Sequence, residues 1–193
     1  MKKVKMKKVL AVLTLLAVLL LAFSVAFAAE LKVIVEGENF TKQEGGAVKK
    51  VDGRPASSNN SAIAGWDNAG HVIEWEVDVP ETGDYKIVFR YCNGRDWEAY
   101  RELLIDGKLP NEAFKKIVLP VTGGFGKDAN NYLNLTVVDA KSQPVMVNLT
   151  KGKHVLRIAN IGGAGANGSA NFDCIGLLGK DVDPNVLGAS GVK

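Results

Sequence analysis

In His71-Val-Ile-Glu-Trp-Glu-Val-Asp-Val79, apolar and acidic residues alternate from Ile73 to the end. On an extended backbone Ile73, Trp75, Val77 and Val79 fall on one side, and Glu74, Glu76 and Asp78 on the other. That period of two predicts a strand with one face buried and one face wet. Pro80-Glu-Thr-Gly83 supplies a turn, and Asp84 to Tyr91 follows as a second strand with Tyr85, Ile87 and Phe89 inward. Working outward, Val33 to Val35 opens the series. Leu103 to Ile105 ends in the hairpin-type Asp106-Gly107. Phe114 to Leu119, Tyr132 to Val138, Val145 to Leu149, His154 to Ala159 and Asp173 to Leu178 complete it. About nine short strands with no sustained helical period predict an all-β fold, a β-sandwich. The polar, Gly-rich stretches 52–68 and 162–168 read as surface loops. Neither ends in the G-K-[ST] of a phosphate loop.

The chain opens with a basic, then apolar, leader. Lys2, Lys3, Lys5, Lys7 and Lys8 precede the apolar run Val9 to Phe23, and Ala26-Phe27-Ala28 has the form of a cleavage site. The expectation is a bacterial signal peptide over 1–28 and a secreted, extracellular product starting at Ala29, with no membrane attachment after cleavage. The rival is an uncleaved anchor, for which the run is somewhat short. Of the 24 Lys+Arg in the chain, five lie in this leader, leaving 19 against 21 Asp+Glu, a net charge of −2. The apparent basicity belongs to the leader, so nothing points to nucleic acid. Residues 29–179 are expected to form one domain, with 180–193 as a tail or linker stub.

Glu36 and Glu38 stand two apart after the first strand, and Asp173 heads the last. Same-side carboxylates on an extended chain repel unless neutralised, and a hard cation with oxygen ligands is one answer. Two solvated glutamates at a strand end are the other.

An ordered set of short motifs carries a resemblance. Glu36-Gly-Glu38, Gly65-Trp-Asp-Asn-Ala-Gly70 with Glu74-Trp75, Val79-Pro-Glu-Thr-Gly-Asp-Tyr85, Phe89-Arg-Tyr-Cys-Asn-Gly94, Ile105-Asp-Gly107, Leu119-Pro-Val-Thr-Gly-Gly124, Leu149 to Arg157 and Asn171-Phe-Asp173 follow one another along the chain. Together they resemble the carbohydrate-binding modules of families 6 and 35, over about residues 33–178. The resemblance implies a galactose-binding-like β-jelly roll. It implies a structural calcium ion on Glu36, Glu38 and Asp173, completed by backbone carbonyls near Gly53. It also implies a sugar site on loops at one edge, with Asn93 and Asn171 as polar contacts and Phe125 where family 6 tends to carry a stacking tryptophan. Ala62 is small where family 6 often has a second aromatic, and Asn93-Gly-Arg95-Asp-Trp97 fits the more polar pattern of family 35.

The residue types suit a sugar, which offers apolar C–H faces and a rim of hydroxyls. Trp97, Tyr100 and Phe125 are candidate stacking plates. Asn93, Asn171 and Arg95 are candidate polar contacts, and Arg95 suits a uronic acid carboxylate. Trp66 either lines this site or packs beneath its loop. Cys92 and Cys174 have outward parity on strands expected in opposite sheets, which argues against a disulfide.

The functional expectation is non-catalytic, calcium-stabilised binding of a plant or microbial polysaccharide or oligosaccharide, of hemicellulose or pectin type. Secreted glycan-degrading enzymes are the expected partners. The alternative is a structural or adhesive cell-surface sandwich without sugar binding. A glycoside-active enzyme is weaker, because two histidines and no H-E-x-x-H, G-x-S-x-G or C-x-x-C leave little to build a site from.

Overall fold

The computed structural model describes residues 31–164 and 167–188. The leader read at 1–28 lies outside them. Twelve strands are present among the described residues: β1 (Lys32–Glu36), β2 (Lys42–Glu44), β3 (Lys49–Asp52), β4 (Ser61–Ala64), β5 (Val72–Val79), β6 (Gly83–Cys92), β7 (Ala99–Ile105), β8 (Ile117–Leu119), β9 (Leu133–Thr136), β10 (Met146–Leu149), β11 (Gly152–Gly163) and β12 (Asn171–Gly179). They form two antiparallel sheets. The larger runs β10-β6-β12-β4-β3, with β1 also on β12 and β9 also on β6; the smaller runs β2-β5-β11-β7-β8. The sandwich expected from the alternating runs is therefore present as a jelly roll.

Alternation decides what each sheet buries. In β5, Ile73, Trp75, Val77 and Val79 enter the core, and Glu76 and Asp78 face solvent. Phe172 of β12 sits at the centre of an aromatic cluster, 5.1 Å from Trp66, 5.7 Å from Phe89 and 6.2 Å from Tyr91 between ring centres. Edge-to-face contacts of this kind add to simple burial.

Several parts differ from the sequence reading, among them β2 and β3, which it did not contain. Stretch 52–68 was expected to be loop, but Ser61-Ala-Ile-Ala64 forms β4, whose first three residues are buried. Phe114 lies on a 3-10 turn, Glu112–Lys115, and the strand begins only at Ile117. Residues 180–188, read as the start of a tail, lie against the outer face of the larger sheet. There Val182 and Leu187 are buried with Val88, Cys174 and Leu178.

Candidate metal centre and binding loops

β1 runs antiparallel to β12, with Glu36 opposite Cys174. Glu38 does not continue the strand, because Gly37–Asn39 is a 3-10 turn. The same-side projection expected of an extended chain is thus replaced by a turn held from both sides. The indole of Trp75 donates to the Gly37 carbonyl at 3.1 Å. A Cβ on Gly37 would fall 2.8 Å from the Phe172 carbonyl oxygen and 2.9 Å from that of Asp173. Only glycine lets the turn lie this close to β12.

A β-bulge in β12, between Phe172 and Cys174, turns Asp173 onto the outer face. There its Oδ2 accepts from Arg90 Nε at 2.8 Å in a buried pair, and its Oδ1 accepts from the Ser58 hydroxyl at 2.8 Å. The Ser58 hydroxyl also touches Glu36 Oε2. One hydroxyl carries one proton and donates to one carboxylate at a time. Ligand atoms of Glu36, Asp173 and Cys174 lie within 4.8 Å of one another. Glu38 stands outside this triangle. Its Oε1 accepts from Ser61 at 2.5 Å, and its Oε2 is buried with no partner. Burial pushes the Glu36 carboxyl up against the opposing Ser58 bond, and the charges of Asp173 and Glu38 add to the rise. Burial likewise raises Asp173, outweighing Ser58 and Arg90. Clustered carboxylates of this kind, one with an orphaned buried oxygen, fit a divalent cation with oxygen ligands. Ser58, Ser61 and Arg90 complete the surroundings. Nothing in the spacing of Ser57-Ser-Asn-Asn-Ser61 announces them beyond a polar loop.

The second cluster forms where β6 ends, β7 begins, β8 ends, β11 ends and β12 begins. These ends meet because Asn171 pairs with Cys92 and Ala99 with both Leu119 and Gly163. Trp97 and Phe125, from two different loops, are half-buried. The Arg95 guanidinium carbon lies 5.9 Å from the Trp97 ring centre and 5.7 Å from that of Phe125. Its Nε is buried without a partner. Trp97 is anchored by its indole N–H on the Asn167 carbonyl at 3.0 Å. Asn171 donates to the Phe125 carbonyl at 3.3 Å, tying that loop to β12. Gly94 packs so closely under Phe125 that a Cβ would fall 2.6 Å from its ring.

No family model matches the chain, and no curated protein matches it. Solved structures do. A family 35 carbohydrate-binding module from Clostridium thermocellum aligns at 20% identity and TM-score 0.57, over 75% of this chain and 95% of that one. The C-terminal family 6 module of a marine laminarinase from Zobellia galactanivorans aligns at 17% identity and TM-score 0.56, over 77% and 99%. The chain has the jelly-roll fold of these carbohydrate-binding modules. The same fold recurs inside a cycloisomaltooligosaccharide glucanotransferase from a Paenibacillus species, at 20% identity and TM-score 0.59, where it matches 78% of this chain but only 19% of the enzyme.

Within this module fold the expected sugar residues separate into groups. Arg95, Trp97 and Phe125 come together with exposed surface. Asn93 reaches the same loops but is fully buried. Its amide donates to the Trp97 carbonyl at 2.9 Å and the Leu119 carbonyl at 3.3 Å, and its oxygen accepts from Arg95 N–H at 3.0 Å. Asn93 braces the loop, and it has no surface with which to touch a ligand. Asn171 is only 5% exposed. Trp66 must be removed from the site. Its ring is fully buried against Phe172 and Trp75, with the Arg101 guanidinium 4.3 Å above it. The Tyr100 ring is covered by Lys116 Nζ at 4.0 Å. Ala62 belongs to buried β4.

Arg101 was missed. It is fully buried and donates to the carbonyls of Tyr100, Trp66 and Gly168. Burial pulls it down to about 9, still charged at neutral pH. It fixes the base of the loop that carries Asn167. The cysteines are free, as expected, but for a different reason. β6 and β12 are neighbours in one sheet, and Cys92 faces Asn171 while Cys174 faces Arg90. Among the described residues, no helix is long and apolar enough to cross a membrane.

Proposed function

We propose that this protein binds carbohydrate without catalysis, through the Arg95, Trp97 and Phe125 loops, and holds a structural calcium ion at Glu36, Asp173 and Glu38. The observation that carries the reading is the meeting of two half-exposed aromatic rings around one arginine with an unpaired buried Nε. An aromatic face stacks on a sugar's C–H face, and the guanidinium offers a planar fork for its hydroxyls or carboxylate. The fold shared with modules of families 6 and 35 supports the same reading. The ligand class is a plant or microbial polysaccharide, of hemicellulose or pectin type, with uronic acid units preferred through Arg95. Calcium would be held by carboxylates that otherwise repel, fixing β1 against the β12 bulge. Export as a secreted protein, working beside glycan-degrading enzymes, fits the leader and this ligand class. A contact set this small predicts weak binding, on the order of 10–1000 μM.

A glycan array run with calcium and with chelator tests the reading. Trp97→Ala is expected to abolish detectable binding. Arg95→Lys is expected to weaken uronic acid ligands more than neutral ones, since lysine cannot bond bidentately. Wild-type binding by both variants would move the site elsewhere. No glycan bound at all would favour a structural or adhesive surface domain.

A further inference from the structure

In a regular strand, neighbouring side chains point to opposite faces. The extra residue in β12 suspends that rule at Asp173 and Cys174, and both reach the Glu36 side. The strand register places Glu36 directly across from Cys174. The carboxylate oxygens and the Cys174 Sγ lie within 4.8 Å of one another, a span that one ion with bonds of about 2.0–2.4 Å can bridge. A separate observation lies beside it, at Glu38, whose Oε1 has Lys50 Nζ at 4.0 Å while its other carboxylate oxygen stays unsatisfied. The Glu38 side chain is only 9% exposed. Calcium takes oxygen ligands and leaves a thiol unused. Zinc-like ions take sulfur together with carboxylate oxygen.

We infer that this centre also accepts a thiophilic divalent cation of the zinc class, with Cys174 Sγ joining the Glu36 and Asp173 carboxylates. The inference rests on the reading of Glu36 and Asp173 as a cation centre, and adds to it a ligand and a class of ion. On binding, the Cys174 S–H bond breaks, its proton passes to solvent, and the sulfur electron pair forms the metal–sulfur bond. No oxidation or reduction takes place. Arg90 occupies Asp173 Oδ2, and the Ser58 N–H and hydroxyl bond Oδ1, so the Ser58 hydroxyl turns away when Oδ1 faces the ion. Zinc and calcium compete for the same oxygens, and only the former recruits sulfur.

The test uses purified protein stripped with chelator and titrated with cadmium, whose bond to thiolate gives an ultraviolet charge-transfer band. Melting temperature is followed in parallel with calcium, zinc and cadmium. The band is expected in wild type and in Cys92→Ser, and is expected to vanish in Cys174→Ser and Cys174→Ala. Those two variants should bind cadmium at least about tenfold more weakly, which is about 1.4 kcal/mol, while calcium still raises their melting temperature. Should neither Cys174 variant fold, Glu36→Gln serves instead and should lose the band and the calcium effect together. Absence of the band in wild type, its persistence without Cys174, or its persistence in Glu36→Gln overturns the inference. In the first two cases a remaining calcium effect leaves the oxygen centre standing. If neither calcium nor cadmium moves the wild-type melting temperature, the cation centre itself falls.

Discussion

Asn93→Ala separates a residue that holds the binding loops from one that touches ligand. The substitution removes three hydrogen bonds from a fully buried position: to the Trp97 carbonyl, to the Leu119 carbonyl and from the Arg95 N–H. At about 0.5–1.5 kcal/mol net for each, the loss is roughly 1.5–4.5 kcal/mol. The upper half applies if the freed groups stay dry, the lower half if water enters the space left by the amide. For a domain of this size about 3 kcal/mol corresponds to a melting temperature lower by roughly 6–12 °C. Because two of the three partners belong to Trp97 and Arg95 themselves, glycan affinity should fall with stability. Calorimetric unfolding and isothermal titration on the same sample measure both. A variant that melts with wild type but loses ligand would refute the reasoning, since the amide would then act on the sugar and not on the loop. A variant unchanged in both would show that the three bonds have no net worth.

Two further outcomes follow from other sites. Chelation should lower the melting temperature of wild type and leave Glu36→Gln unmoved, because an ion that binds only the folded state stabilises it; equal curves with and without chelator, and no metal by elemental analysis, would contradict this. His154 Nδ1 lies 2.6 Å from Asp106 Oδ2 and its Nε2 2.8 Å from the Thr150 carbonyl, so both ring nitrogens face acceptors, which favours the protonated ring. Burial would lower its pKa, but the Thr150 carbonyl and Asp106 raise it from the ordinary 6.5. Burial would raise Asp106, but the Val155 N–H and His154 hold it below the ordinary 3.8. The pair's contribution is therefore full between 3.8 and 6.5. It is lost as pH rises through the raised histidine value and as pH falls through the lowered aspartate value. Denaturant titrations across pH should show this upper decline in wild type and not in His154→Gln; parallel profiles would remove the pair from the account.

The alternation of β5 could be read without a structure because one of its faces meets the core and the other meets water. In β6 the same alternation gave the inward Tyr85, Ile87 and Phe89, but it did not give the fate of the other face. Lys86, Val88, Arg90 and Cys92 point away from the core and are buried as well. Loop 53–60 covers part of that face, and the segment after β12 covers another part. Lys86 donates to the Lys180 carbonyl and Arg90 to the Ala56 carbonyl. Such covering comes from residues far away in sequence and leaves no period. β4 stayed hidden because four residues between polar runs give too short a pattern to register. At the candidate metal centre the glutamate pair and Asp173 were legible as residue types, while the bulge that brings Cys174 beside them was not. A bulge is set by the register of two strands and has no signature in one. Trp66 was ambiguous for a similar reason, since its Gly-flanked loop hides that Arg101 and Phe172 close over it from other strands.

The pairing of β1 with β12 has a mechanical consequence. The Gly179 N–H donates to the Leu31 carbonyl at 2.7 Å, so the polypeptide enters and leaves the jelly roll at one corner. Tension applied across that corner loads the antiparallel pair like a zipper, one rung at a time, and not like a lap joint that must shear all its rungs together. The stretch holding Val182 and Leu187 would strip off first, followed by the rungs from Lys32–Leu178 inward. The last rung is Glu36 opposite Cys174, and an ion seated there would act as the rivet at which the peeling stops.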